Sequence, residues 1–254
     1  MNRIKRLFET KKKEILSIYF CAGFPEVEWT LDVIGTLEKN GVDMIEIGIP
    51  FSDPMADGFV IQQAATQALK NGMSLRLLFK QLATIRQDVK IPLLLMGYLN
   101  PVMQYGVENF FRSCKACGID GCIIPDLPFE DYLNEFKPVA DKYDVKVIML
   151  ITPETSDERI RLIDAHTDGF IYMVSSAATT GAQQSFDEQK QDYFRRIQSM
   201  KLRNPLMVGF GISNRKTFCT ACEYASGAII GSRFITLLEQ TGSPQAAISA
   251  IRQW

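Results

Sequence analysis

The sequence predicts an α/β fold, a single (β/α)8 TIM barrel over residues 1–254, and three observations carry that prediction. Short apolar runs alternate with longer amphipathic stretches from one end of the chain to the other. The runs are uniformly hydrophobic, as parallel strands covered on both faces must be. No Pro/Gly/Ser-rich linker, charge block or shift of composition divides the chain, so one domain is expected.

In order, the expected strands are residues 16–20, 43–48, 92–98, 121–125, 145–151, 169–174, 205–209 and 227–230. Helical periodicity lies between them at 26–40, 60–70, 75–87, 108–117, 130–142, 157–165, 188–200 and 216–224. Asn40-Gly41 ends the first helical stretch, and Asn71-Gly72-Met73-Ser74 ends one helix and starts the next. Thr155-Ser156-Asp157 supplies another start. An open doubly wound sheet uses the same alternation, but it usually has fewer strands. No dinucleotide-type Gly-x-Gly-x-x-Gly follows the first strand, so the barrel is the better reading.

Composition narrows the function. The formal net charge of −1 gives no reason to expect a nucleic-acid or anionic-membrane partner. The basic N-terminal segment leads into only a short apolar run at 15–20, which is not a secretory signal. No apolar stretch approaches the roughly 20 residues of a membrane span, and a cytoplasmic protein is expected. Cys114 and Cys117, like Cys219 and Cys222, form a C-x-x-C pair. Four such ligands suit zinc, but both pairs fall in helical stretches, so buried free thiols are expected instead.

In a barrel the chemistry stands at the C-terminal ends of the strands. Glu46 lies in the apolar run Met44-Ile45-Glu46-Ile47-Gly48, where burial should lift its pKa toward neutrality and suit it to general acid/base work. An unseen cationic partner, or an outward orientation, is the alternative. Pro50 to Gly58 forms a loop stiffened by two prolines and carrying Asp53 and Asp57; Asp57-Gly58 equally reads as a helix cap. Gly209-Phe210-Gly211-Ile212-Ser213 and Gly231-Ser232 follow the last two strands, the usual phosphate-binding loops of this fold. Residues 175–184 are small and polar, as in a mobile lid or a plain surface loop. Tyr172 stands at the end of its strand, either stacking on an aromatic ligand or serving as core. His166, the sole histidine, has no partner motif, and no set of residues has metal-ligand spacing. The residues therefore describe a phosphate-binding barrel with carboxylate acid/base chemistry and no metal.

From Ile45 to Gly58 the chain resembles the tryptophan synthase α subunit family. Its signature reads aliphatic, Glu, aliphatic, Gly-x-Pro-Phe-Ser-Asp-Pro-x-Ala-Asp-Gly. The likeness extends through Asn100-Pro101, Tyr105-Gly106, Pro125-Asp126-Leu127-Pro128, Thr152-Pro153 and the two glycine loops, covering nearly the whole chain. It implies retro-aldol cleavage of indole-3-glycerol phosphate to indole and glyceraldehyde 3-phosphate. Glu46 matches the general acid/base and Asp57 the carboxylate that accepts the indole N–H. Tyr172, Phe210 and Ile61 match residues lining the indole pocket, and Gly211, Gly231 and Ser232 match the phosphate site, with Thr180 and Gly181 in the lid. Asp53, Pro50 and Asn100 match the face toward a partner β chain in an α2β2 assembly. Pyridoxal phosphate belongs to that partner, and the α chain itself holds no cofactor. The lid departs from the family's Ser-Arg-x-Gly-Val-Thr-Gly: Ser176 replaces the arginine, which implies less complete closure. Three rivals are another phosphate-binding barrel, a non-catalytic activator of the β chain, and a stand-alone lyase. The first lacks the Pro-Phe-Ser-Asp-Pro loop, and the second has no use for two intact carboxylates.

Overall fold

The computed structural model describes residues 1–175 and 186–254. Its strands are β1 (Ile15–Cys21), β2 (Met44–Gly48), β3 (Leu93–Met96), β4 (Gly121–Ile123), β5 (Lys146–Ile148), β6 (Leu150–Ile151), β7 (Ile171–Val174), β8 (Leu206–Gly209) and β9 (Gly227–Ile230). They form one sheet in the order β5-β4-β3-β2-β1-β9-β8-β7-β6, and neighbouring strands run parallel.

β5 and β6 end that order on opposite sides, yet Met149 alone separates them in the chain. Chain continuity therefore closes the sheet into a barrel. The predicted strand 145–151 is thus two pieces, because its backbone changes neighbour midway. Ile148 pairs with Ile123 on one side and Leu150 with Tyr172 on the other. Counted as one position, the two pieces give the eight strands expected.

Every residue of β1 and β2 is buried, which is why their sequences show no alternation of polar and apolar residues. Helices outside the strands supply the other half of the core. The helices Arg3–Thr10, Leu99–Tyr105, Ser232–Thr241 and Pro244–Arg252 were not among the predicted ones. The first buries only Ile4 and Phe8, too few apolar positions to show as a period. It is fixed instead by polar contacts. Asn2 caps it, and Arg3 joins Arg86 on the buried Asp120 at 3.0 and 2.6 Å.

The cysteines depart from expectation in one place. Cys114, Cys117 and Cys222 are buried, but Cys219 is exposed. Its helix, Arg215–Tyr224, turns Thr217, Ala221 and Cys222 inward, and that stripe leaves Cys219 outside. Among the described residues no helix is long and apolar enough to cross a membrane.

Candidate active site

The parallel register places Tyr19 beside Glu46 and Cys21 beside Gly48 at the top of β1 and β2. In a parallel pair, residues in register share a face, so Ser17, Tyr19, Glu46 and Gly48 all point into the barrel. Two glycines make room there for two tyrosines. A Cβ on Gly48 would lie 2.7 Å from Cζ of Tyr19, and a Cβ on Gly209 would overlap the ring and hydroxyl of Tyr172. Both rings therefore lean across a neighbouring strand over the barrel mouth.

Glu46 is completely buried. The Ser17 hydroxyl donates to its Oε1 at 3.1 Å, and its Oε2 has no hydrogen-bond partner among the described residues. Among the described residues no cation pairs with it, which speaks against the ion-pair alternative. Loss of hydration raises its pKa from 4.5 to about 8, with the Ser17 hydrogen bond pulling weakly the other way. A carboxyl group that exchanges protons near neutrality is the result.

Asp57 is also buried, at the end of the loop after β2. The Tyr98 hydroxyl donates to its Oδ2 at 2.8 Å and accepts the Ala56 N–H at 3.0 Å. Desolvation raises the Asp57 pKa, and the Tyr98 bond opposes that rise. Gly58, not Asp57, is the N-cap of the helix Phe59–Lys70, so the capping alternative for the Asp57 side chain fails.

A cavity of about 200 Å³ opens over these groups. Asp57, Ile61, Tyr172, Phe210, Gly211, Gly231 and Ser232, seven of the residues singled out from the sequence, line it together. Phe210 and Gly211 both have left-handed backbones, at φ 67° and 75°. A phenylalanine held there is costly, and such strain concentrates at functional sites. The Phe210 ring meets Tyr172 edge-on with centroids 6.1 Å apart. Ser175 fixes the turn by donating to the Phe210 carbonyl at 2.7 Å.

Glu46 does not line the cavity itself but lies behind it, close enough to influence Tyr19 and Tyr172 electrostatically. Thr180, Gly181 and Ser176 lie outside the described residues. Asp53 and Asn100 are exposed, whereas Pro50 is buried at the end of β2. Met55, Phe59 and Met103 also stand exposed, at 83, 70 and 50 %. Phe51 packs on Tyr98 with ring centroids 5.4 Å apart, which joins this loop to the helix carrying Met103 and Asn100.

Sequence reasoning missed Ser17, Tyr19, Tyr98 and Arg233. The two tyrosines end predicted strands or nearly so, and the rule that barrel chemistry sits at strand ends reaches both. Ser17 was visible as the one serine in an otherwise apolar and aromatic strand. Arg233 directly follows Gly231-Ser232 and lines the same cavity.

The sequence model of a family described as Tryptophan synthase alpha chain matches residues 6–253. A tryptophan synthase alpha chain from Bacteroides fragilis is 70% identical over 252 residues, covering 99% of this chain and 96% of that one. One from Bacteroides thetaiotaomicron is 69% identical over 252 residues, covering 99% and 98%. The crystal structure of tryptophan synthase subunit alpha from Legionella pneumophila superposes with a TM-score of 0.89 at 35% identity, covering 100% and 98%. A tryptophan synthase complex from Pyrococcus furiosus contains a chain matching with a TM-score of 0.84 at 35% identity, with 96% of each covered.

Proposed function

The chain belongs to the tryptophan synthase alpha chain family, and from that premise we propose which of its residues carry the reaction. The reaction is the retro-aldol cleavage of indole-3-glycerol phosphate to indole and glyceraldehyde 3-phosphate. The observation that carries our assignment is Glu46, a fully buried carboxyl with one unpartnered oxygen and a pKa of about 8.

Breaking the bond between indole C3 and the side chain needs a proton delivered to C3 and a proton removed from the side-chain hydroxyl that becomes the aldehyde. The two transfers balance, so one group near neutral pKa can serve both in turn. Glu46 takes that role. It lies behind the cavity wall beside Tyr19 and Tyr172, so this role requires its side chain to turn toward the substrate. Asp57 faces the cavity and accepts the indole N–H, holding negative charge where the protonated ring develops positive charge. Ile61, Tyr172 and Phe210 enclose the ring. Gly211, Gly231 and Ser232 present backbone N–H groups to the phosphate, aided by the N-terminus of the helix Ser232–Thr241. Thr180 and Gly181 are assigned to the same substrate by resemblance alone.

Tryptophan synthase pairs an alpha with a beta chain. We assign this chain an α2β2 assembly in which pyridoxal phosphate belongs to the β chain and none to this one. We also assign it one domain and a cytoplasmic location. The exposed Met55, Phe59 and Met103 support a β-chain contact beside Asp53 and Asn100, while buried Pro50 shapes the loop from within. The test is release of indole from indole-3-glycerol phosphate by the purified chain, alone and with its β chain. Indole that appears in both arms and faster with the partner is the expected result. No indole in either arm overturns the reading.

A further inference from the structure

We propose that Arg233 is the cationic contact for the substrate's phosphate, a role resting on the phosphorylated-substrate reading above. Arg233 lies in the first turn of the helix Ser232–Thr241 and lines the cavity beside Gly211, Gly231, Ser232 and Thr236. Among the described residues its buried Nε has no hydrogen-bond partner and no carboxylate pairs with its guanidinium. A buried N–H of a cation left unmatched is costly, so the arrangement is that of a group waiting for an anion.

The surroundings select which anion. Asp57 is the only carboxylate on the cavity wall among the described residues, and it follows β2 while Arg233 follows β9, with β1 between them. Among the described residues no side chain caps the helix Ser232–Thr241, so no cap occupies the N–H groups of the first turn, to which Arg233 belongs. A guanidinium offers two parallel donors that fit two oxygens of one phosphate, and the helix N-terminus adds favourable partial charge. A phosphate monoester dianion meets both. The backbone glycines set position, and Arg233 supplies the full charge they lack.

Arg233→Gln and Arg233→Lys test this in the full-length chain with its β chain. Glycerol 3-phosphate is titrated by calorimetry, indole serves as the uncharged probe, and indole release gives KM and kcat. Loss of a charge-assisted contact should raise both KM and the glycerol 3-phosphate Kd about 10- to 100-fold in Arg233→Gln. Indole affinity and kcat should change less than about threefold, and Arg233→Lys should recover part of the loss. If the wild type releases indole while Arg233→Gln keeps both constants within about twofold, Arg233 has no such role and the lyase reading stands. If indole affinity falls as far as glycerol 3-phosphate affinity, the cavity has collapsed and the proposal is overturned. If glycerol 3-phosphate binding depends on Arg233 but the wild type releases no indole, the anion site stands and the lyase reading falls.

Discussion

The Tyr98 hydroxyl bridges Asp57 Oδ2, at 2.8 Å, and the Ala56 N–H, at 3.0 Å. One side chain from the end of β3 thus fixes both the orientation of a buried carboxylate and the backbone of the loop that carries it.

Tyr98→Phe removes that bridge and little volume. A hydrogen bond to a charged group is worth about 1.5–3 kcal/mol, so kcat/KM for indole release should fall about 10- to 100-fold. The bond now lowers the Asp57 pKa. Its loss raises that pKa, and the acidic limb of the pH–rate profile, which requires ionised Asp57, should move to higher pH. A profile unmoved in Tyr98→Phe contradicts the assignment.

Glu46 should make the protein less stable as pH rises. Its folded pKa of about 8 stands above the ordinary 4.5, so the folded state holds a proton that the unfolded state releases. No penalty exists below pH about 4.5; it grows through the interval and is complete above about 8. Glu46→Gln keeps the acceptor for Ser17 and removes the titration. Urea unfolding should find it more stable than wild type by on the order of 1–4 kcal/mol at pH 9 and equal to it near pH 4.5. A difference independent of pH refutes the shift.

Gly209→Ala tests the space beneath Tyr172. The added methyl would overlap that ring, so Tyr172 must move or β8 must shift. A stability loss of about 1–3 kcal/mol is expected, with a raised KM as the ring is displaced from the cavity. Gly35→Ala, in the helix Trp29–Lys39, is the control for glycine loss alone, since no atom lies within 4 Å of its Cβ position and its backbone is not left-handed.

Much of this was legible in the chain. Uniform burial of β1 and β2 shows in their unbroken hydrophobicity, and Glu46 stands out because a carboxylate in such a run needs a reason. The glycine loops after the last two strands pointed to the phosphate end. The helix Arg3–Thr10 was not legible, since its anchors Asn2, Arg3 and their partner Asp120 lie more than a hundred residues apart in sequence. Tyr98 and Ser17 stood in view as residues, but their roles were hidden for a related reason. Each gains its meaning from a partner on another strand, and single-chain spacing carries no trace of that pairing.

The central claim is that burial makes Glu46 the proton-transfer group. Its most direct test is kcat for indole release across pH 6–10, wild type against Glu46→Gln, with saturating β chain. The wild type should show an inflection near the pKa of about 8, and the variant should lose about a thousandfold in kcat and the inflection with it. A Glu46→Gln enzyme within about tenfold of wild type, with the same inflection, would place the proton transfer on another residue.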